Sequence, residues 1–192
     1  MSLISVLIPA DTSEDELFKL FSSQDYFSAS FIQKNYFKGK HRIVLGNIFA
    51  DRKGRFRLVY QEPFKEEIIS DGTNLYIFDE ELEQVEIRSL EKILEETPIG
   101  LLSLNSSNLT KFFELEKCVE QNLNFNCSLN VLTKDSYIQN IELIFKDGIL
   151  SSLNYNDSFE QNVSIEFSDI SLTKIENKKF IFTPPEGIDI VR

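Results

Sequence analysis

The 192-residue chain has no Trp, one His, two Cys and seven Gly, and each shortage removes a class of chemistry. His41 sits between Lys40 and Arg42 with no motif around it, so Ser–His–Asp and Cys–His catalysis find no support. It reads as a solvated strand end. Cys118 and Cys127 do not form C-x-x-C, which argues against thiol exchange and zinc. The glycines build neither a Walker-type loop nor G-x-G-x-x-G. Acidic runs such as Asp79-Glu80-Glu81 and Glu95-Glu96 lack EF-hand spacing and read as solvated loop charge. No metal, no cofactor and no enzymatic reaction is expected.

Basic residues are also scarce: 20 Lys and Arg face 31 Asp and Glu, for a net charge of −11. That balance argues against nucleic acid and against electrostatic docking on anionic lipid. The densest basic run, Arg52, Lys53, Arg55 and Arg57, is too small to be a phosphate-binding surface by itself. No stretch approaches the ~20 apolar residues of a spanning helix. Residues 1–10 are apolar and end in a small residue before Asp11. They read either as the remnant of a signal segment or as a first β-strand.

What is abundant is Phe, 17 residues of it beside 6 Tyr, in a chain that is 42% hydrophobic. This suffices for a sizeable core, or for a sheet that encloses a cavity. Ser13-x-x-Glu16 has the form of a capping box, and Leu17, Phe18, Leu20 and Phe21 follow at helical spacing. Beyond Gln24 the period becomes two. Phe27, Ala29 and Phe31 alternate with Ser28 and Ser30, and Phe56, Leu58 and Tyr60 repeat the pattern. Pro63 interrupts it, and Asp71-Gly72 and Asp147-Gly148 mark tight turns.

Further strands are expected around Leu75–Phe78, Gln84–Arg88, Phe125–Val131, Ile141–Phe145, Leu153–Tyr155 and Val163–Phe167, with a last one at Phe180–Phe182. Residues 89–112 differ: short helical pieces broken at Pro98 and Gly100, too apolar for a surface loop. The expected architecture is mainly β: an unclosed antiparallel barrel of about eleven strands, with an N-terminal helix and a helical lid over 89–112. With no Gly/Ser-rich linker and no repeat, residues 1–192 read as one domain.

Cys118 and Cys127 lie four residues either side of Asn122-Leu123. A hairpin turning there would make them directly opposed, with Cα atoms about 4.5–5.5 Å apart and within disulfide range. A bridge would imply an oxidising compartment. Two buried free thiols are the alternative.

Several segments together resemble the LolA family of outer-membrane lipoprotein carriers. Residues 27–34, F-S-A-S-F-I-Q-K, are similar to the family's F-x-A-x-F-x-Q. Residues 52–63, R-K-G-R-F-R-L-V-Y-Q-E-P, resemble R-P-x-x-F-x-W-x-x-x-x-P. Residues 68–76 resemble the V-S-D-G-x-x-L-W hairpin, followed by a similar E-Q at 83–84. Thr97-Pro98 with Leu101-Leu102 resembles T-P-x-x-L-L, and residues 180–187 resemble F-x-F-x-P-P-x-G.

The resemblance implies a periplasmic half-barrel whose apolar interior takes lipoprotein acyl chains and which catalyses nothing. It also implies delivery by an inner-membrane ATP-binding-cassette transporter (LolCDE-like) to an outer-membrane acceptor (LolB-like). A monomer is expected. Arg52 matches the family arginine that bonds to the lid, the alternative being a strand-end surface charge. Lys53 and Leu58 stand where the family has proline and tryptophan, a departure at the lid lock and the cavity wall.

On this reading Phe31, Ile48, Phe56, Leu58, Leu143, Phe145, Ile165 and Phe167 line the cavity, and Pro98, Leu101 and Leu102 gate it. A slip of one residue would send any of these strands' candidates to the opposite face. The rival readings are a half-barrel that carries or senses another amphiphile, and a binding domain with a filled interior.

Overall fold

The computed structural model describes residues 10–11, 17, 21, 24–90, 98–122, 124–133 and 136–191. Among them thirteen strands form one unclosed sheet. They are β1 (Ala10–Asp11), β2 (Tyr26–Phe37), β3 (Lys40–Asp51), β4 (Arg55–Glu62), β5 (Glu66–Asp71), β6 (Asn74–Asp79) and β7 (Gln84–Ser89). After the helical segment come β8 (Phe113–Gln121), β9 (Asn124–Val131), β10 (Ile138–Lys146), β11 (Ile149–Asp157), β12 (Asn162–Ser171) and β13 (Asp189–Val191). The order is β1-β8-β9-β10-β11-β12-β2-β3-β4-β5-β6-β7-β13, antiparallel except that β13 runs parallel to β7. A sheet this wide must curl, and its concave face holds most of the hydrophobic core.

The turns follow from local chemistry. Asp147 and Gly148 both have positive φ, as a type I′ hairpin turn requires. Asp71 accepts backbone bonds from Thr73 and Asn74, both at 2.8 Å, while Gly72 takes φ +97. Gly46 is needed for another reason: a Cβ there would meet the Phe31 ring and the Val59 carbonyl at 2.5 Å. The Phe31 side chain therefore lies across β3 toward Tyr60, with ring centroids 5.7 Å apart.

Cys118 and Cys127 are opposed partners of the β8–β9 hairpin and form a disulfide, with Cα atoms 3.9 Å apart. Replacing both by Ser is expected to lower the unfolding free energy by about 2–3 kcal/mol, the loop-entropy contribution of so short a ring. Urea titration of the variant against the oxidised parent measures it; equal midpoints would show that the bridge contributes nothing.

One expectation needs correction. Phe180–Phe182 is not the last strand: Asn177–Phe180 is a 3-10 turn and residues 181–185 are extended without ladder pairing. This segment crosses the convex face, where Phe182 packs on Tyr76 and Phe78. The last strand is instead β13, nine residues on. The thirteen strands agree with the expected unclosed antiparallel sheet of about eleven.

Leu17 and Phe21 are helical and buried as expected. The capping box at Ser13 and Glu16, with Phe18 and Leu20, lies outside the described residues, as do 1–9, Ile93 and Leu94. Ala10 and Asp11 pair with β8.

A lidded apolar cavity as the candidate functional site

The described part of the segment between β7 and β8, residues 98–112, packs on the concave face. It holds Pro98 and Ile99 in a turn, then α1 (Gly100–Ser103) and α2 (Ser106–Phe112). Asn105 caps α2, its side chain accepting from the Asn108 N–H at 3.0 Å. Helix α1 is buried throughout, which explains the apolar character of the segment: it faces the sheet, not water.

Arg52 ties this lid to the rim. Its Nη1 donates to the carbonyls of Leu101 at 2.6 Å and Leu104 at 3.1 Å. Its Nε donates to the Gln24 carbonyl at 3.1 Å, and the guanidinium lies 5.3 Å from the centre of the Phe21 ring. Burial pulls its pKa down to about 10, against which Asp25 acts, so Arg52 is still a cation at neutral pH. The lid is also pinned by Gly54 N–H donating to the Ser103 carbonyl at 2.9 Å. These are the unpaired carbonyls of a short helix end, and a cation is their natural partner.

The rest of the basic run separates into individual structural roles. Arg55 pairs with buried Asp51 and lies over the Phe180 ring at 4.7 Å, while Arg57 pairs with Glu67. His41 is exposed, its ring 6.2 Å from that of Tyr36.

Under the lid is a cavity of about 110 Å³. Phe31, Ile48, Phe56, Leu58, Ile165 and Phe167 line it, as do Pro98 and Leu102 of the lid. Leu101 does not; it is fully buried and supplies its carbonyl to Arg52. Leu143 and Phe145 do not either, although they share the concave face. Phe145 is filled against, with Phe21 at 5.3 Å and Phe125 at 6.1 Å, and Leu143 is fully buried between Cys127 and Leu153. The N-terminal helical residues thus plug that part of the half-barrel, and those two side chains are core.

Sequence reasoning missed Gln33, Tyr60, Ile68, Ile99, Leu153 and Tyr155 as lining residues. The period-two signal could have found two of them, since Tyr60 continues Phe56 and Leu58, and Tyr155 follows Leu153.

The walls are mostly apolar, with Gln33, Tyr60 and Tyr155 as the polar side chains among them, and they hold no convergent acid, base and nucleophile of the kind a reaction centre uses. Such a surface binds by non-directional burial.

The profile of the family described as "Outer membrane lipoprotein carrier protein LolA" matches residues 22–183. The chain belongs to the LolA family. An outer-membrane lipoprotein carrier protein of Chromohalobacter salexigens is 30% identical over 181 residues, 93% of this chain and 86% of that one. Among solved structures, a LolA-superfamily protein of Nitrosomonas europaea superposes with TM-score 0.55 at 11% identity, over 89% of this chain and 98% of its own. A conserved protein of Thermus thermophilus gives TM-score 0.59 at 12% identity, over 94% and 99%. These superpositions establish the shared half-barrel. Membership of the LolA family accounts for the order in which the matched segments follow one another from Phe27 to Thr183.

Proposed function

We propose that the protein is a periplasmic carrier that takes lipoprotein acyl chains into the lidded cavity and passes them between membranes. The loading partner is an inner-membrane ATP-binding-cassette transporter of LolCDE type, and the unloading partner an outer-membrane acceptor of LolB type. The protein acts as a chaperone and transforms nothing.

The observation that supports this reading is an apolar cavity roofed by a lid whose Leu101 and Leu104 carbonyls accept hydrogen bonds from Arg52. Burying an acyl chain is worth ~0.8 kcal/mol per CH₂, or about 12 kcal/mol for a chain of about sixteen carbons. A carrier must supply much of that and still let go. At about 110 Å³ the cavity is well below the ~300–1,000 Å³ of ordinary ligand pockets, which fits an empty, closed state. Cargo entry then requires lid displacement, and lid return favours release. Arg52, Pro98 and Leu102 gate the exchange, with Leu101 anchoring it.

The turn regions at one end of the sheet suit hand-over. Tyr36 and Phe37 at the end of β2, and Leu82, Tyr137 and Phe159 on three separate loops, are all exposed there. The opposite turns carry Arg52 to Gly54, Gly72-Thr73 and Asp147-Gly148. These exposed apolar side chains, set among charged ones such as Lys38, Lys40, Glu80 and Glu81, offer a lipid footholds at that end.

Native mass spectrometry tests the function. The purified protein is incubated with a triacylated lipoprotein and with its unacylated form. A one-to-one complex with the acylated form alone is expected. Binding neither would overturn the proposal, and binding free lipid but no lipoprotein would replace it with a general amphiphile carrier.

A further inference from the structure

Two hydroxyl groups are out of place in this cavity. Tyr60 and Tyr155 both line it, and neither hydroxyl has a hydrogen-bond partner among the described residues. Tyr60 is flanked by the rings of Phe31 at 5.7 Å and Phe64 at 5.5 Å. Tyr155 stands on β11, beside Val163 of β12. Both side chains are only partly buried, so water reaches them in the empty cavity, and a ligand that displaces this water must replace its hydrogen bonds.

Their placement is also not random. Tyr60 lies two residues before the end of β4 and Tyr155 two before the end of β11. Both are therefore at the cavity end nearest the turns that carry Leu82 and Phe159, away from Arg52 and the Phe21–Phe145 plug. Gln33 joins them there, its Nε2 bonded to Asn35 Oδ1 at 2.9 Å. Burial raises both phenols, Tyr60 further because Tyr155 and Glu66 are near, and Tyr155 to about 12 with Asp157 adding to the effect. Each keeps its proton at neutral pH and can donate it.

A ligand that fills an apolar groove and ends in hydrogen-bond acceptors matches this layout. Acyl chains joined to glycerol by esters have that form: hydrocarbon tails and, at one end, carbonyl oxygens that lose their water on entry. We propose that the hydroxyls of Tyr60 and Tyr155 form a polar clamp that donates to the ester carbonyls of the bound acyl chains and sets how deeply they enter. This rests on the carrier reading above and adds a recognition element to it. The clamp places the tails toward the plugged end and the ester end at the rim, leaving the attached polypeptide outside. It also gives the cavity a preference for acyl over plain alkyl chains, which hydrocarbon walls cannot supply.

The test compares two synthetic lipopeptides of equal chain length, one with ester-linked chains and one with ether-linked chains that lack the carbonyls. Affinities are measured by competition against a fluorescent lipopeptide for the parent and for Tyr60→Phe/Tyr155→Phe. The parent is expected to favour the ester form by roughly tenfold, the worth of two modest hydrogen bonds, and the double variant to bind both alike. Phe keeps each ring, and a thermal melt verifies that the variant folds. Equal loss on both ligands, or no change on either, would overturn the clamp while leaving the carrier function standing. A folded parent that binds neither lipopeptide would overturn the carrier reading, and the clamp with it.

Discussion

Phe145→Ala is expected to cost about 3–5 kcal/mol of stability, the usual range for emptying a fully buried Phe site. For a chain of this size each kcal/mol moves the melting temperature by about 2–4 °C, so a drop of roughly 6–20 °C follows. The reason is local: the ring packs edge-on against Phe21 and Phe125, and removing it leaves the plugged end of the half-barrel with a void. Because Phe145 lies outside the cavity, the folded variant should still capture an acylated peptide. A melt within two or three degrees of the parent would place Phe145 at a site that collapses freely. Loss of binding at a temperature where the variant is folded would put it back among the lining residues.

Arg52→Leu is expected to act on the lid. The two bonds to the Leu101 and Leu104 carbonyls are charge-assisted, at about 1.5–3 kcal/mol each, so the closed state loses about 3–6 kcal/mol. In the open–closed equilibrium this is roughly two to four powers of ten. Lid amides of α1 should exchange with solvent correspondingly faster. Acylated cargo, no longer competing with a well-held lid, should bind more tightly and pass to an acceptor more slowly. The β2–β3 amides act as an internal control, since they should exchange as in the parent. Unchanged α1 exchange and unchanged transfer would remove Arg52 from the gate.

Much of this site was legible because strands repeat every two residues. Phe31, Phe56, Leu58, Ile165 and Phe167 all fall where alternation put them, on the concave wall. The same period also put Leu143 and Phe145 on the concave face, correctly, yet not in the cavity. Alternation fixes a face; it cannot say which stretch of that face another element fills. That choice belongs to Phe21, more than a hundred residues away in the chain.

The C-terminal segment misled in the opposite way. Phe180 and Phe182 alternate like a strand, but Pro184 and Pro185 have no N–H to give a ladder. The segment instead lies flat on the convex face, where Phe182 finds Tyr76 and Phe78. Nothing local distinguishes a Phe that alternates within a sheet from one that packs upon it.

The sequence by itself determined the architecture: period-two patterning, Asp-Gly turns, the symmetric spacing of Cys118 and Cys127, and an apolar insert that had to cover something. These are short-range properties, set by backbone geometry and by the alternation of neighbouring side chains. Only the tertiary structure decided where the half-barrel is filled and where it is hollow. It also decided that Arg52 reaches the Leu101 and Leu104 carbonyls, and that Tyr60 and Tyr155 share one end of the cavity. Those outcomes depend on how a curled sheet brings distant strands face to face, which no local period encodes.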